Sequence, residues 1–267
     1  MQPFIKWAGG KRWLAHELQK WVPDSFNTYF EPFLGGAAAF FHLQPDTAIL
    51  SDSNEELIAT YRAVRDAPSE IVVRLSEHQR QHNDEYYYFI RRSTPTHRYD
   101  LAARFLYLNR TCWNGLYRVN LKGEFNVPRG TKNQIIAADE DFLDISKCLQ
   151  NCEILSSDFE NIIDRSGEGD LVYVDPPYTV KHNMNGFIKY NQSIFLWSDQ
   201  VRLRDACLRA QKRGVTVIIS NADHESIREL YACAGKLSSV ERASVIAGKA
   251  SARQSTTELL AVLGPIA

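Results

Sequence analysis

The sequence predicts an α/β protein built on a mostly parallel sheet with helices on both faces. Short apolar runs typical of buried strands alternate with segments of helical periodicity, which is the pattern that parallel sheets require. The last two strand candidates, 240–246 and 258–263, are joined without a helix and therefore predict an antiparallel terminal strand. The other strands are predicted at 29–31, 48–51, 153–155, 171–174 and 215–220, and helices at 11–21, 36–43, 54–64 and 198–213.

The composition fits one large α/β domain or a core domain with an insertion. The chain has 267 residues, of which 44% are hydrophobic and 24% are charged, enough for a sizeable core. No run approaches the ~18 apolar residues of a membrane span, and the amino terminus lacks a signal-peptide layout. The five cysteines lack paired C-x-x-C spacing, so we expect free thiols, no metal and a cytoplasmic location.

Residues 61–134 interrupt the alternation of strands and helices. This stretch is polar, basic and aromatic and is too long for a loop, so it predicts a mainly helical inserted subdomain. The flanking segments 1–60 and 135–267 would then form the core domain. At the end of the insertion, residues 116–127 predict a β-hairpin that turns at Lys122 and Gly123. Such a hairpin is narrow enough to enter the major groove of DNA.

Positive charge is concentrated in the insertion, although the net charge of the chain is −1. Between Arg91 and Lys132 there are nine lysines and arginines and two acids, a net +7 that leaves −8 for the rest. A basic block in an acidic protein is typical of a nucleic-acid-binding face. The alternative is that some of these charges belong to ordinary solvated helix faces.

The segment Asp175-Pro176-Pro177-Tyr178 directly follows the apolar run 171–174. It therefore lies at the carboxyl end of a predicted buried strand, where open α/β sheets bind their ligands. The prolines stiffen the backbone, so that the Asp175 carboxylate and the Pro176 carbonyl can both accept hydrogen bonds from one planar amino group. Tyr178 can stack on the ring that bears this group. The segment indicates a site for the exocyclic amine of a nucleobase; the alternative is a structural turn.

Three further segments, each at the end of a predicted strand, indicate a nucleoside cofactor. The glycine-rich turn in 30–36 allows close approach of a ligand to the backbone, although it matches neither phosphate-binding glycine motif. Asp52 ends the next strand, where α/β folds bind ribose hydroxyls. Asp158 and Phe159 could bond to and stack on a purine. Asp52 and Asp158 could instead cap the helices that follow them.

The opening segment 4–11 adds an aromatic ring, two glycines and a cation to what would otherwise be a loose terminus. Trp7 could contact a ligand or could fill a core position. Lys11 could pair with the carboxylate of an amino-acid cofactor.

Taken together, six motifs resemble those of Dam-type DNA adenine-N6 methyltransferases, the alpha group of the D12 class. The resemblance extends from residue 4 to about residue 260, and the combination of motifs is highly specific. The motifs are Phe-Ile-Lys-Trp-Ala-Gly-Gly-Lys (4–11), Phe-Glu-Pro-Phe-Leu-Gly-Gly (30–36), Ser-Asp-Ser-Asn (51–54), Asn-Gly-Leu-Tyr-Arg-Val-Asn (114–120), Gly-Glu-Phe-Asn-Val-Pro (123–128) and Asp-Pro-Pro-Tyr (175–178).

The resemblance implies a Rossmann-like fold that binds S-adenosyl-L-methionine, a target-recognition role for 61–134, double-stranded DNA as partner and a monomer in solution. The target adenine would contact Asp175, Pro176, Pro177 and Tyr178. The cofactor would contact Trp7, Gly9, Lys11, Glu31, Phe33, Gly35, Asp52, Asp158, Phe159 and Asp175. DNA would contact Arg91, Arg92, Trp113, Asn114, Leu116, Arg118, Asn120, Lys122, Pro128 and Arg129.

The implied reaction is methylation of N6 of an adenine flipped out of the duplex, at GATC or a related motif. Arg118 matches the position that reads a guanine in GATC-specific relatives, and Trp113 matches the position of an aromatic wedge. The chain departs from the family at Pro128-Arg129-Gly130 and in the loop 179–190. The alternatives are methylation of another planar amine, such as cytosine N4, an RNA adenine or a glutamine amide, and an inactive DNA-binding protein. A nicotinamide dehydrogenase is disfavoured because the dinucleotide-binding glycine motif is missing.

Overall fold

A computed structural model describes residues 1–120, 122–137, 140–181, 195–242 and 256–264. Within these ranges, seven strands form one sheet in the order β3-β2-β1-β4-β5-β7-β6. The sheet is the predicted α/β sheet, and each strand overlaps its predicted position. The strands are β1 (Tyr29–Glu31), β2 (Ala48–Asp52), β3 (Cys152–Ser156), β4 (Leu171–Val174), β5 (Thr216–Ala222), β6 (Lys236–Arg242) and β7 (Thr256–Leu263).

The central strand β4 pairs in parallel with β1 on one side and with β5 on the other. All four of its residues are buried, as expected for a strand that is covered on both faces. In the register of β4 and β5, Val174 lies opposite Ile219. The residue after Val174 therefore leaves the sheet level with the carboxyl end of β5.

The last two strands confirm the predicted antiparallel end of the sheet. β7 runs antiparallel to both β5 and β6, so β6 is the edge strand. The predicted position of the penultimate strand was wrong at its start, because the strand begins at Lys236 and three of its first four residues are polar. The last four residues of that prediction, 243–246, lie outside the described residues.

The chain divides into two compact units, one formed by Met1–Arg12, Leu34–Gln44 and Leu50–Ser156 and the other by Trp13–Phe33, Pro45–Ile49 and Ser157–Ala267. The first unit holds most of the helices. Its helices are α2 (Ala38–Leu43), α3 (Glu55–Asp66), α4 (Pro68–Gln81), α5 (Asp84–Arg92), α6 (Arg98–Thr111), a 3-10 turn (Trp113–Gly115) and α7 (Phe142–Leu149).

Helices α3 to α6 account for the predicted helical character of 61–134, although residue 61 itself lies inside α3. The start of α3 is set by Asn54, whose side chain accepts the Leu57 N–H at 3.0 Å. Along α6, residues 105–111 are all buried, so α6 forms the centre of this helical group. The assignment of 61–134 to target recognition stays a prediction.

The segment 116–127 reverses direction as the sequence predicts. The Asn120 N–H donates to the Glu124 carbonyl at 2.9 Å, and Gly123 has a φ of +79° that favours glycine. Val119 and Phe125 form an isolated antiparallel bridge. The pairing consists of such bridges in place of two continuous strands, and residue 121 lies outside the described residues.

The second unit contains α1 (Arg12–Leu18) except for Arg12, together with α8 (Phe159–Ile163), α9 (Trp197–Lys212) and α10 (Glu225–Leu230). None of the helices in the described ranges combines the length and the hydropathy that a bilayer span requires. All five cysteines are free, as the sequence predicts.

Candidate active site and DNA-binding surface

The segment Asp175 to Tyr178 leaves the sheet at the carboxyl end of β4. Asp175 and Tyr178 are half-buried, whereas Pro176 is buried. The Ser220 hydroxyl of β5 donates to Asp175 Oδ1 at 3.0 Å, and the Tyr173 hydroxyl lies 3.0 Å from the same serine oxygen. The Asp175 carboxylate, which is predicted to receive the target base, is thus oriented by Ser220. The Ser220 hydroxyl in turn contacts Tyr173.

Tyr178 is oriented by a second acid. Its phenol is hydrogen-bonded to Glu258, which lies near the start of β7 and opposite Ala222 of β5. Because β7 runs antiparallel to β5, the first residues of β7 lie beside the carboxyl ends of β4 and β5. Burial, followed by the charges of Asp175 and Glu258, raises the pKa of Tyr178 far above its usual value. The phenol therefore stays protonated and acts as a donor.

The carbonyl of Pro177 is bound from helix α9. The Gln200 Nε2 donates to this carbonyl at 3.4 Å, and the Asn221 Nδ2 donates to Gln200 Oε1 at 3.2 Å. Gln200 and Asn221 are both buried. The backbone of the proline pair is therefore fixed by side chains and not only by its own stiffness.

Glu31 ends β1 and is buried. Its Oε2 accepts the Tyr29 hydroxyl at 2.8 Å. Burial, and then the neighbouring Glu31 charge, raises the pKa of Tyr29 well above its usual value. In the structure, this predicted cofactor contact is a buried carboxylate with a tyrosine partner.

An aromatic cluster lies in the same unit. Phe33 stacks on Phe159 with ring centroids 5.3 Å apart and an interplanar angle of 24°, and Phe195 packs edge-on against Phe33 at 5.7 Å. The Arg202 guanidinium lies 4.2 Å from the centroid of the Phe159 ring. Two of the aromatic residues predicted to contact the cofactor, Phe33 and Phe159, thus contact each other.

Asp158 confirms the helix-cap alternative. Its Oδ1 accepts the Glu160 N–H at 2.9 Å at the start of α8, and both of its oxygens accept from Arg202 at 2.9 Å. Whether this carboxylate also contacts a cofactor stays a prediction. Arg202 was not predicted from the sequence, because no motif connects residues 44 positions apart.

In the first unit, the opening segment forms an ordered turn. The Gly10 N–H donates to the Trp7 carbonyl at 3.0 Å, and Gly9 has a φ of +81°. The Trp7 ring is parallel to that of Tyr117, with centroids 5.4 Å apart, and Lys11 is buried. Trp7 is only half-buried, so it does not fill a core position as one alternative expected.

Gly35 and Asp52 are joined by a hydrogen bond. The Gly35 N–H donates to Asp52 Oδ2 at 3.0 Å, the Asn54 N–H donates to Oδ1 at 3.0 Å, and the Tyr61 hydroxyl donates to the Gly35 carbonyl at 3.0 Å. Burial raises the pKa of Asp52, and its backbone donors oppose this. The alternative that Asp52 caps α3 is wrong, because Asn54 is the cap.

The predicted wedge, Trp113, has 51% of its surface exposed. It begins the 3-10 turn in which Asn114 and Gly115 both have positive φ, at +56° and +67°. A β carbon on Gly115 would lie 2.8 Å from Lys6 Cδ, so this close packing requires glycine. The turn presents the indole to solvent.

The hairpin presents two of its predicted DNA contacts to solvent. Arg118 and Lys122 are exposed, and the Arg118 Nε donates to Asn126 Oδ1 at 2.8 Å. Asn120 has an internal role, since its Oδ1 accepts the backbone N–H groups of Lys122 and Glu124 at 2.9 and 3.0 Å. The remaining predicted contacts are exposed at Arg92, Asn114 and Pro128 and half-buried at Arg91, Leu116 and Arg129.

Several arginines of the basic block form ion pairs or hydrogen bonds with other residues of the protein. Arg129 is paired with Asp84 and donates to Asn133 at 2.5 Å. Arg91 donates to the Val127 carbonyl at 3.2 Å. Arg110 is buried and forms two bonds of 2.6 and 2.7 Å to Glu140. Arg110 therefore lies neither on a nucleic-acid-binding face nor on the solvated helix face that the alternative expected, because it is buried.

Three contacts of the Asp175–Tyr178 segment were missed from the sequence, those of Gln200, Ser220 and Glu258, as was the bond of Tyr173 to Ser220. The signal that could have indicated Ser220 is a pair of polar residues at the end of an otherwise apolar strand. Residues 182–190 of the predicted divergent loop lie outside the described residues. No group of three or more His, Cys, Asp or Glu suited to a metal ion occurs in the part of the chain that the structure describes.

The mixed sheet, with its antiparallel last strands and its Asp-Pro-Pro-Tyr segment at the central strand end, defines a Rossmann-like methyltransferase fold. The sequence profile of the D12 class N6 adenine-specific DNA methyltransferases matches residues 7–245. The chain belongs to this family and is an adenine-specific DNA methyltransferase.

Curated relatives agree with this assignment. The chain is 40% identical to the Type II methyltransferase M1.LlaDCHI of Lactococcus lactis subsp. cremoris, over 97% of this chain and 94% of the relative. It is 33% identical to a DNA adenine methylase of Serratia marcescens, over 97% of both chains. It is 34% identical to the Type II methyltransferase M.MjaIII of Methanocaldococcus jannaschii, over 83% of this chain and 84% of the relative.

Proposed function

We propose that this chain transfers a methyl group from S-adenosyl-L-methionine to N6 of an adenine flipped out of double-stranded DNA, at GATC or a related short motif. The observation that carries the proposal is the Asp175–Tyr178 segment at the end of β4, with an oriented carboxylate, a stiff proline backbone and a protonated tyrosine. The carboxylate and the proline backbone match the N–H donors of an aminopurine, and the tyrosine ring matches its ring face.

Asp175 acts on the amino group. The N6 lone pair of adenine is delocalised into the ring, so the amine is a weak nucleophile. When the Asp175 carboxylate and the Pro176 carbonyl accept its two hydrogens, the nitrogen becomes pyramidal and the lone pair is localised. After methyl transfer the nitrogen carries an extra proton, which Asp175 is placed to accept. Positioning and electrostatics supply most of the rate enhancement.

Tyr178 binds the flipped base by stacking. Extrusion from the duplex costs a few kcal/mol of lost stacking, which an aromatic partner offsets. The hydrogen bond to Glu258 holds the phenol end of the ring before the base arrives. Trp113, exposed on the 3-10 turn, is suited to fill the space that the base leaves in the duplex.

The methyl donor supplies a methyl group on a positively charged sulfur when it is bound. In the first unit we assign to it Trp7, Gly9, Lys11, Gly35 and Asp52. The donor chemistry fits, because a carboxylate such as Asp52 suits ribose hydroxyls and the ammonium of Lys11 suits a carboxylate. Two of these residues are in close contact, since a β carbon on Gly35 would lie 2.6 Å from Trp7 Cδ1.

In the second unit we assign to the cofactor Glu31, Phe33, Asp158, Phe159 and Asp175. The stacked pair of Phe33 and Phe159 is an apolar surface suited to a purine ring. Asp158 carries an ion pair with Arg202, so any adenine contact it makes competes with that pair.

We assign DNA binding to the exposed basic residues Arg92, Arg118 and Lys122 and to the other predicted DNA contacts. Arg118 lies on a hairpin and is bonded to Asn126, which holds its guanidinium near the hairpin rather than free in solvent. A bidentate arginine is the usual reader of guanine in the major groove. This supports a guanine in the recognition motif.

The test is incubation of the purified chain with duplex DNA and methyl-labelled S-adenosyl-L-methionine, followed by nucleoside mass spectrometry. We expect N6-methyladenine in wild-type reactions and none with Asp175→Ala, which should still bind the cofactor. N4-methylcytosine, or label in RNA only, would contradict the proposed substrate. Cofactor-independent DNA binding without any label would favour the inactive DNA-binding alternative.

A further inference from the structure

Ser220 is a buried polar residue in an apolar strand. It follows Val217, Ile218 and Ile219 on β5, and its relative exposure is 0%. Burying a hydroxyl is unfavourable unless it is hydrogen-bonded, so its partners explain its presence. Those partners include Asp175, at 3.0 Å from its hydroxyl, and Tyr173, at 3.0 Å.

The sheet register sets this geometry. Val174 lies opposite Ile219, so the next residues along the two parallel strands, Asp175 and Ser220, are level with each other. Ser220 is also paired with Leu260 of β7, so its backbone is held by strands on both sides. The donor to Asp175 therefore lies on a strand that is paired on both sides.

The direction of the bonds follows from the number of protons. A serine hydroxyl has one proton, so when it donates to Asp175 it can only accept from Tyr173. Burial, followed by the Asp175 charge, raises the pKa of Tyr173 well above its usual value, which keeps the phenol protonated. The arrangement is thus a directed chain from Tyr173 to Ser220 to the carboxylate.

We propose that Ser220 is a positioning residue for methyl transfer, which holds one oxygen of Asp175 so that the carboxylate faces the N6 amino group in a fixed orientation. The inference rests on the proposed function, in which Asp175 accepts a hydrogen bond from N6. Tyr173 acts one step further back by orienting the Ser220 hydroxyl. Hydrogen bonds to charged groups are about twice as strong as neutral ones, which suits this role.

The test uses the matched pair Ser220→Thr and Ser220→Val, which differ by a hydroxyl in place of a methyl group. The measurement is the single-turnover rate of methyl transfer to duplex DNA at saturating cofactor. We expect Ser220→Val to be about 10- to 100-fold slower than Ser220→Thr, from the strength of a hydrogen bond to a charged group. Dissociation constants for S-adenosyl-L-methionine and for DNA should stay within about threefold of each other in this pair.

Three controls complete the experiment. Ser220→Ala, which adds no volume, should be as slow as Ser220→Val and covers the case in which the larger side chains disturb β5. Asp175→Ala, which removes the acceptor itself, should abolish product in both the Thr and the Val background. Tyr173→Phe should slow the reaction less than Ser220→Val, because Ser220 can still donate.

The outcomes separate this inference from the proposed function. Equal rates for the Thr, Val and Ala variants, with an active wild type, would overturn the role of Ser220. If the wild type transfers no methyl group to adenine, the proposed function fails. In that case the contact is still tested by urea unfolding. Non-additive changes in the free energy of unfolding for Ser220→Ala and Asp175→Ala support the contact, and additive changes overturn it.

Discussion

Trp7 Cδ1 lies 2.6 Å from the position that a β carbon on Gly35 would occupy. No ordinary side chain fits in that distance, and the φ of Gly35, +46°, is in the left-handed region as well. The turn was expected to need glycine for the approach of a ligand. In the structure, the group that approaches it is the Trp7 indole.

Gly35→Ala should therefore destabilise the protein by about 2–4 kcal/mol, from the left-handed backbone and from overpacking against the indole. Gly123→Ala is the matched control, because Gly123 also has positive φ (+79°) but nothing within 4 Å of the added carbon. It should cost only about 1 kcal/mol. Urea unfolding measures both, and equal losses would contradict the steric account.

Glu140→Gln should destabilise the protein strongly. The Arg110 and Glu140 side chains are 7% and 11% exposed, and removal of the acid leaves a buried guanidinium without its counter-charge. We expect a loss of about 3–5 kcal/mol. The matched control is Asp144→Asn in the exposed pair with Lys147, which should cost less than about 0.5 kcal/mol. Unchanged stability with weaker DNA binding would instead make this pair part of the DNA surface.

Arg118→Ala should relax the choice of one base in the recognition motif. An arginine that reads a guanine contributes about 1–3 kcal/mol of discrimination. Lys122→Ala, on the same exposed hairpin, should weaken binding to all sequences equally and reduce the salt dependence of affinity. Methylation rates on a set of duplexes with single substitutions distinguish the two results. Uniform loss with Arg118→Ala would show that it contacts phosphate.

Protein stability should fall below about pH 6.5 because of His78. Burial lowers the pKa of His78 from 6.5 to about 4, and its Nδ1 lies 2.8 Å from the Tyr86 hydroxyl. Since the folded pKa is depressed, the unfolded chain binds the proton first as the pH falls. The contribution of His78 to the free energy of unfolding is therefore fully present above pH 6.5. It decreases down to about pH 4, by at most about 3 kcal/mol.

His78→Gln should flatten this dependence, whereas His97→Gln, at an exposed position, should leave it unchanged. The measurement is the free energy of unfolding in urea between pH 4 and pH 7. An identical slope in His78→Gln and the wild type would show that other groups cause the loss.

Much of the fold could be predicted from the sequence because strand periodicity is a local property. The run 171–174 is apolar throughout and forms the buried centre of the sheet. The start of β6 at Lys236 could not be predicted, since an edge strand is partly solvated and lacks an apolar run. The antiparallel end was predictable from the missing helix between the last strands.

The candidate site was predictable only where its chemistry lies in one short segment. Asp175 to Tyr178 is such a segment. Ser220 and Glu258 approach it through strand register, so their contacts depend on tertiary structure and leave no mark in the local sequence. The count of basic residues between Arg91 and Lys132 overstates the positive charge at the surface. It includes Arg110, which is neutralised inside the protein by Glu140.

Single-molecule sequencing of DNA from a methylation-free host that expresses this chain is the decisive measurement. We expect N6-methyladenine at one short motif, with GATC as the motif expected if Arg118 reads the guanine, and no marks in cells that express Asp175→Ala. The absence of adenine marks from cells with folded, cofactor-binding protein would contradict this expectation, as would the same marks in the Asp175→Ala cells.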